Sequence, residues 1–200
     1  MKNRKRIILC LCALLLLSGC GRYPTRADDG TAWDQNWEMM GSSLGVEDPG
    51  NGFHLLENNV VLAADDTYYA AWVSGEPEPY TNTAGKEIDL YPAEIYLLYY
   101  GCKDEEAAAE AMQEWTERER ASYQVLAEHT EHYNGQEYLI MEYQCASETN
   151  PYERGVSAFG LFHRYVISAE LSCVKEFSGN EQQILYDFLS GFHFSSDRVR

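Results

Sequence analysis

Several short stretches of this 200-residue chain carry side chains suited to chemistry. Gly41-Ser42-Ser43-Leu44-Gly45 matches G-x-S-x-G, the nucleophile elbow in which a tight strand-to-helix turn lifts a serine beside an oxyanion hole. Here it follows a helical pattern with no buried strand before it, so the spacing lacks the context that makes an elbow work. His129-Thr130-Glu131-His132, preceded by Glu128, is the one local cluster of metal-ligating residue types. Residues three apart on a strand face opposite sides, and this stretch has strand character, so its imidazoles should diverge. Cys102, Cys145 and Cys173 lack the Cys-x-x-Cys spacing of a zinc site. Asp65-Asp66 and Asp104-Glu105-Glu106 lack the alternating oxygen ligands and central glycine of an EF-hand loop. The chain has neither a P-loop nor a dinucleotide fingerprint. With 32 acidic residues, no two can be singled out as a glycosidase pair, because the defining feature is a separation in space. No catalytic set, metal site or cofactor is expected.

Cys20 has a more definite chemistry. It closes Leu17-Ser18-Gly19-Cys20, after an apolar run from Ile7 to Leu17 and a basic start at Lys2, Arg4, Lys5 and Arg6. The apolar run is too short to span a bilayer permanently. This stretch resembles a bacterial lipoprotein signal peptide ending in a lipobox. The alternative, an ordinary secretory signal, has no need of a cysteine at the cut. The resemblance implies a signal peptide over residues 1–19 and acylation of Cys20. It also implies anchoring at the extracytoplasmic face of the cell membrane, since two acyl chains hold stably where one is marginal. Residues 20–30, with Pro24, Asp28, Asp29 and Gly30, form a tether on this reading.

Once the four leader basic residues are removed from 15, 11 remain against 32 acidic ones, a formal charge of −21. That sign opposes nucleic acid and anionic headgroups, and suits an extracytoplasmic surface or a basic partner. Cys10 and Cys12 leave with the signal and Cys20 takes lipid, so the folded part keeps three cysteines. Export permits a disulfide, and Cys145 with Cys173 is the expected pair because both sit in strand-like segments.

About 180 residues suffice for one domain with its own core. Residues 31–52 are expected as a short helical lead-in, capped by Thr31, with Trp33, Trp37 and Met40 on one face packed on the domain rather than at the membrane interface. The domain proper should span 53–196, with 197–200 a tail. Phe53–Leu56 and Thr67–Ser74 have strand character, and Val60–Ala64 suggests a helical turn. Gly75–Lys86 is expected as a loop by its prolines, Asn82 and Gly85. Strands resume at Glu87–Tyr91 and Ala93–Tyr100, with Pro92 at a bulge or edge. Asp104 caps the clearest helix, which runs to about Tyr123 with Ala108, Met112, Trp115 and Ser122 inward. Strands follow around Asn134-Gly135, a strong hairpin signal, then at Gly155–Phe162 and Tyr165–Val174. A last helix buries Ile184, Leu185, Phe188 and Leu189 before a short strand over Gly191-Phe192-His193-Phe194.

This is an α+β plan: an antiparallel sheet with one long helix and a C-terminal helix packed on it. The order, with its final helix running into Gly191-Phe192-His193-Phe194, is similar to the PsbP-like fold of photosystem accessory proteins and small bacterial lipoproteins. A cystatin-like or ferredoxin-like sheet is the rival. The resemblance implies a binding or assembly module rather than an enzyme. Most of Tyr68, Tyr69, Trp72, Tyr80, Tyr91, Tyr96, Tyr99 and Tyr100 belong to a tyrosine-rich core by alternation. Tyr80 is the remainder. With Glu76, Glu78 and Asn82 it makes a candidate recognition loop for a sugar, peptide or cationic group. The expected function is a membrane-anchored, non-catalytic accessory to another envelope protein. A ligand-capturing lipoprotein serving a transporter, or a cell-wall-directed enzyme, is the alternative.

Overall fold

The computed structural model describes residues 37–40, 43–56, 61–63, 67–145, 150–175 and 179–195. The chain divides into two units, Met1–Thr31 and Ala32–Arg200, and the described residues all belong to the second. The expected signal peptide, Cys20, the tether, the start of the lead-in and the tail lie outside the described residues.

In chain order the strands are β1 (Trp37–Met40), β2 (Leu44–Glu47), β3 (Phe53–Leu55), β4 (Val61–Ala63), β5 (Thr67–Ser74), β6 (Glu78–Thr81), β7 (Glu87–Leu90) and β8 (Ala93–Gly101). There follow β9 (Gln124–Tyr133), β10 (Gln136–Gln144), β11 (Arg154–Phe162), β12 (Tyr165–Cys173) and β13 (Phe192–Phe194). Helix α1 (Glu105–Ser122) separates β8 from β9, and α2 (Glu181–Ser190) separates β12 from β13. The main sheet runs β3-β5-β8-β12-β11-β10-β9, with β4 also on β5, and its pairings are antiparallel. The fold is α+β.

Strand alternation sorts the side chains into two layers. On one face Trp72, Tyr99, Ile140, Val156, Ile167 and Leu171 are buried with Ile184, Leu185, Phe188 and Leu189 of α2. Met40, Leu44, Val46 and Phe192 join the same core from a three-stranded sheet ordered β1-β2-β13. On the other face Val166 packs with Ala108, Met112 and Trp115 of α1. The two helices therefore cover opposite faces. Asp104 starts α1 as its side chain accepts the Ala107 amide (2.8 Å), and Glu105 and Glu106 lie at the positive end of the helix dipole. Its inward stripe contains Thr116 and Glu119, while Ser122 faces water. The β9–β10 turn places Asn134 and Gly135 at φ of 49° and 77°, the left-handed pair of a two-residue hairpin. The Asn134 side-chain amide donates to the Ser190 and Phe192 carbonyls, which pins this hairpin to the end of α2.

Three elements differ from expectation. Trp37–Met40 is a strand rather than part of a helix, because β2 and the distant β13 supply ladder partners that local pattern does not reveal. Val61–Ala63 is a strand on β5 rather than a helical turn. The expected Gly75–Lys86 loop contains β6, which pairs with β7 as a separate two-stranded ribbon. Pro79 is tolerated there because such a ribbon has open edges. The strand expected over Glu87–Tyr91 thus leaves the main sheet, and Pro92 follows it before β8 begins.

Candidate functional site

The α1 face of the main sheet carries a polar cluster in the middle of otherwise apolar strands. Register aligns two neighbouring rows. Glu94, Ser172, Gly155 and Tyr143 lie across β8, β12, β11 and β10, beside Tyr96, Glu170, Ser157 and Met141. The Tyr143 hydroxyl donates to Glu170 and lies 3.0 Å from the Ser172 hydroxyl, which itself donates to Glu170 (3.1 Å). Tyr143 spans β11 only because Gly155 has no side chain. A Cβ there would collide with the Tyr143 hydroxyl and lie 2.5 Å from the Leu171 carbonyl oxygen. The Tyr123 ring, just past α1, stacks on Tyr143 at 4.3 Å. Glu119 on the last turn of α1 accepts the Ser157 hydroxyl. Glu94, 6% exposed, accepts the Tyr152 hydroxyl at 2.5 Å and a second from Tyr96.

Three carboxylates thus share one enclosed face, and among the described residues no basic side chain pairs with any of them. Burial pushes Glu119 up to about 7, the Glu170 charge adds to this, and the Ser157 hydroxyl opposes it. Burial also raises Glu94 above the usual carboxylate range, against the hydroxyls of Tyr152 and Tyr96. The phenols of Tyr96, Tyr143 and Tyr152 are pushed above their ordinary value, first by burial and then by the neighbouring carboxylates. Glu119 is therefore the group on this face that can take up a proton near neutral pH. Each carboxylate already accepts a hydroxyl from within the fold, so the groups hold one another and α1.

Sequence reasoning did not find this cluster. Its signal was present, since Glu94-Ile95-Tyr96, Ser168-Ala169-Glu170-Leu171-Ser172 and Ser157 alternate polar and apolar residues on central strands. What joins them is register across four strands, which no single segment contains.

The expected recognition residues lie on or beside the β6–β7 ribbon. Glu76 and Glu78 are exposed, and Tyr80 is half-buried opposite Ile88, itself 37% exposed. Glu87 and Asp89 add exposed carboxylates, so four acids face one ammonium, Lys86. Asn82 has a different role: its side-chain oxygen accepts the Ala84 and Lys86 amides, each at 3.0 Å, and so shapes the ribbon's turn. Glu76, Glu78 and Tyr80 are thus presented together by a turn that Asn82 builds.

Ser43 of the G-x-S-x-G stretch is buried in the turn before β2, its hydroxyl 2.9 Å from that of Tyr99. Gly41 and Ser42 lie outside the described residues. His129 and His132 take opposite faces of β9: one ring reaches the Tyr186 hydroxyl (2.9 Å) and the other Glu137 (3.3 Å). The expected Cys145–Cys173 disulfide is not formed, and Cys102, Cys145 and Cys173 are all free. Cys145 and Cys173 flank the chain leading into β11, with Glu153 bonded to both backbones. Two interstrand steps separate them by about 9–10 Å, beyond the roughly 7 Å that a disulfide bridges. Burial pushes the Cys173 thiol up to about 12, a structural rather than reactive state.

No protein-family model matches the sequence, and no curated relative does. Among solved structures the chain is similar to the solution structure of cyanobacterial PsbP from Synechocystis sp. PCC 6803. The two share 10% identity over 90% of this chain and 99% of that one, with a TM-score of 0.45.

Proposed function

We propose that this protein is a lipid-anchored extracytoplasmic module without catalytic activity, which binds a basic surface on another envelope protein through the β6–β7 ribbon. The observation that carries this reading is the ribbon itself. It stands as its own two-stranded sheet, with Tyr80 and Ile88 side by side, Glu78 and Leu90 next to them on the same face, and Glu87 and Asp89 on the other face. An aromatic–aliphatic pair with an exposed carboxylate beside it has the anatomy of a small protein-binding patch. The charge sign steers it toward cationic partners. Leu17-Ser18-Gly19-Cys20 supplies the anchor in this reading.

The test has two arms. Cross-linked pull-down of the full-length chain from membranes should recover an envelope partner, and Tyr80→Ala combined with Glu78→Lys should abolish recovery. Unchanged recovery would remove the ribbon from the function. Separately, Cys20→Ala should release the chain into the extracytoplasmic soluble fraction, and full retention on membranes would overturn the anchor.

A second reading, acid–base chemistry, is favoured by one observation: Glu119 is pushed up to about 7 beside Glu170. That each of the two carboxylates already accepts a hydroxyl from within the fold is why it ranks second.

A further inference from the structure

The main sheet ends differently on its two sides. One edge consists of the three-residue strands β3 and β4. The other is β9, ten residues long, which among the described residues pairs with β10 alone. A long open edge is a template for another strand, and proteins commonly block such edges with charge. On β9 the charges run Glu128-His129-Thr130-Glu131-His132, an order that exchanges acid for imidazole at every charged position when reversed.

We propose that β9 is a self-association surface, through which two copies of the chain pair antiparallel about a twofold axis at Thr130 and merge their main sheets. With Thr130 opposite its equivalent, Glu128 meets His132 and His129 meets Glu131 of the second copy, and the symmetry repeats both pairs. Glu128, Thr130 and His132 lie in register with Met141, Leu139 and Glu137, on the α1 face; His129 and Glu131 lie on the α2 face. A twofold axis normal to the sheet keeps each face continuous, so only residues of like face can be opposed. Moving the axis to His129 would oppose two imidazoles, and moving it to Glu131 would oppose two carboxylates. The charge pattern therefore selects the Thr130 register. The regular stretch runs from Ala127 to Tyr133, ended on one side by a bulge that leaves Leu126 53% exposed.

The neighbours of these groups are compatible with pairing. Arg120 of α1 holds Glu128 (2.8 and 2.9 Å), and the carboxylate retains lone pairs for an imidazole N–H. Glu137 of β10 lies 3.3 Å from His132, while Tyr186 of α2 and Glu131 lie 2.9 and 4.0 Å from His129. Glu142, Tyr133 and Asp187 complete the charged and titratable surroundings on the α2 side. This surface is separate from the β6–β7 ribbon and does not depend on the function proposed for it.

Sedimentation of the full-length chain in detergent should show a concentration-dependent dimer. His129→Glu opposes carboxylates at two symmetric places and should raise the dissociation constant about tenfold or more. The exchange His129→Glu with Glu131→His regenerates the complementary order and should restore the original affinity. Thr130→Cys, on the axis, should give a covalent dimer on mild oxidation where the unaltered chain does not, a readout that survives misfolding of the charge variants. A monomer at every concentration would overturn the proposal. So would a dimer indifferent to His129→Glu, or one that Thr130→Cys fails to cross-link.

Discussion

Glu78-Pro79-Tyr80 and Glu94-Ile95-Tyr96 are the same acid and the same phenol at the same spacing, each pair on one side of a strand. Their environments are opposite. β6 has β7 as its strand partner, so Glu78 is exposed and Tyr80 only half-buried. β8 lies between β5 and β12, and Glu94 is 6% exposed with two phenols donating to it. The difference teaches that topology, not the local pair, decides whether a carboxylate is a recognition group or part of an internal network. A ribbon leaves charge hydrated, whereas the centre of a sheet dehydrates it and demands donors.

The largest test of this contrast is glycine replacement. Gly155→Ala drives a methyl into Tyr143 and the Leu171 carbonyl and should cost about 3 kcal/mol or more. Gly85→Ala in the ribbon turn meets open space and strains only its positive φ of 76°, costing about 1 kcal/mol. Urea unfolding of both variants measures the gap, and equal losses would break the comparison.

Glu119→Gln comes next, and its sign depends on pH. Glu119 binds its proton more tightly in the folded chain, at about 7, than an ordinary glutamate at 4.5. The folded state therefore binds more protons between these values. The stability this group contributes is complete below about pH 4.5 and is lost as pH rises through about 7. Glutamine should match the parent at low pH and be more stable near pH 8, by at most about 3 kcal/mol. Stability curves at several pH values check this, and a variant that tracks its parent throughout would exclude the network's titration.

The smallest effect is a single hydroxyl. Tyr143→Phe leaves the half-buried Glu170 with only the Ser172 hydroxyl as donor and should cost about 2 kcal/mol. Tyr80→Phe on the ribbon should change stability by less than about 0.5 kcal/mol. Thermal unfolding of the pair resolves the difference.

Where a segment's partners were adjacent in sequence, its form was legible. Asp104 with Glu105 and Glu106 announced α1, Asn134-Gly135 announced the β9–β10 hairpin, and Ile184, Leu185, Phe188 and Leu189 marked the buried side of α2. Segments with remote or unexpected partners were misread. Trp37–Met40 has helical spacing but becomes a strand beside β2, which β13 completes from the far end of the chain. Asn82 looked like a recognition residue because its turn role shows only in the amides it accepts. Cys145 and Cys173 looked pairable because strand character says nothing of the strand that separates them.

By itself the sequence determined the acidic balance, the two helices, the central hairpin and the opposite facing of His129 and His132, all properties of composition or of period within one segment. Only the tertiary structure decided that Glu94, Glu119 and Glu170 would meet in one enclosed face while Glu76 and Glu78 stayed in water. The physical reason is that burial and register arise between segments: Tyr143 reaches Glu170 across β11 only where Gly155 lies between them.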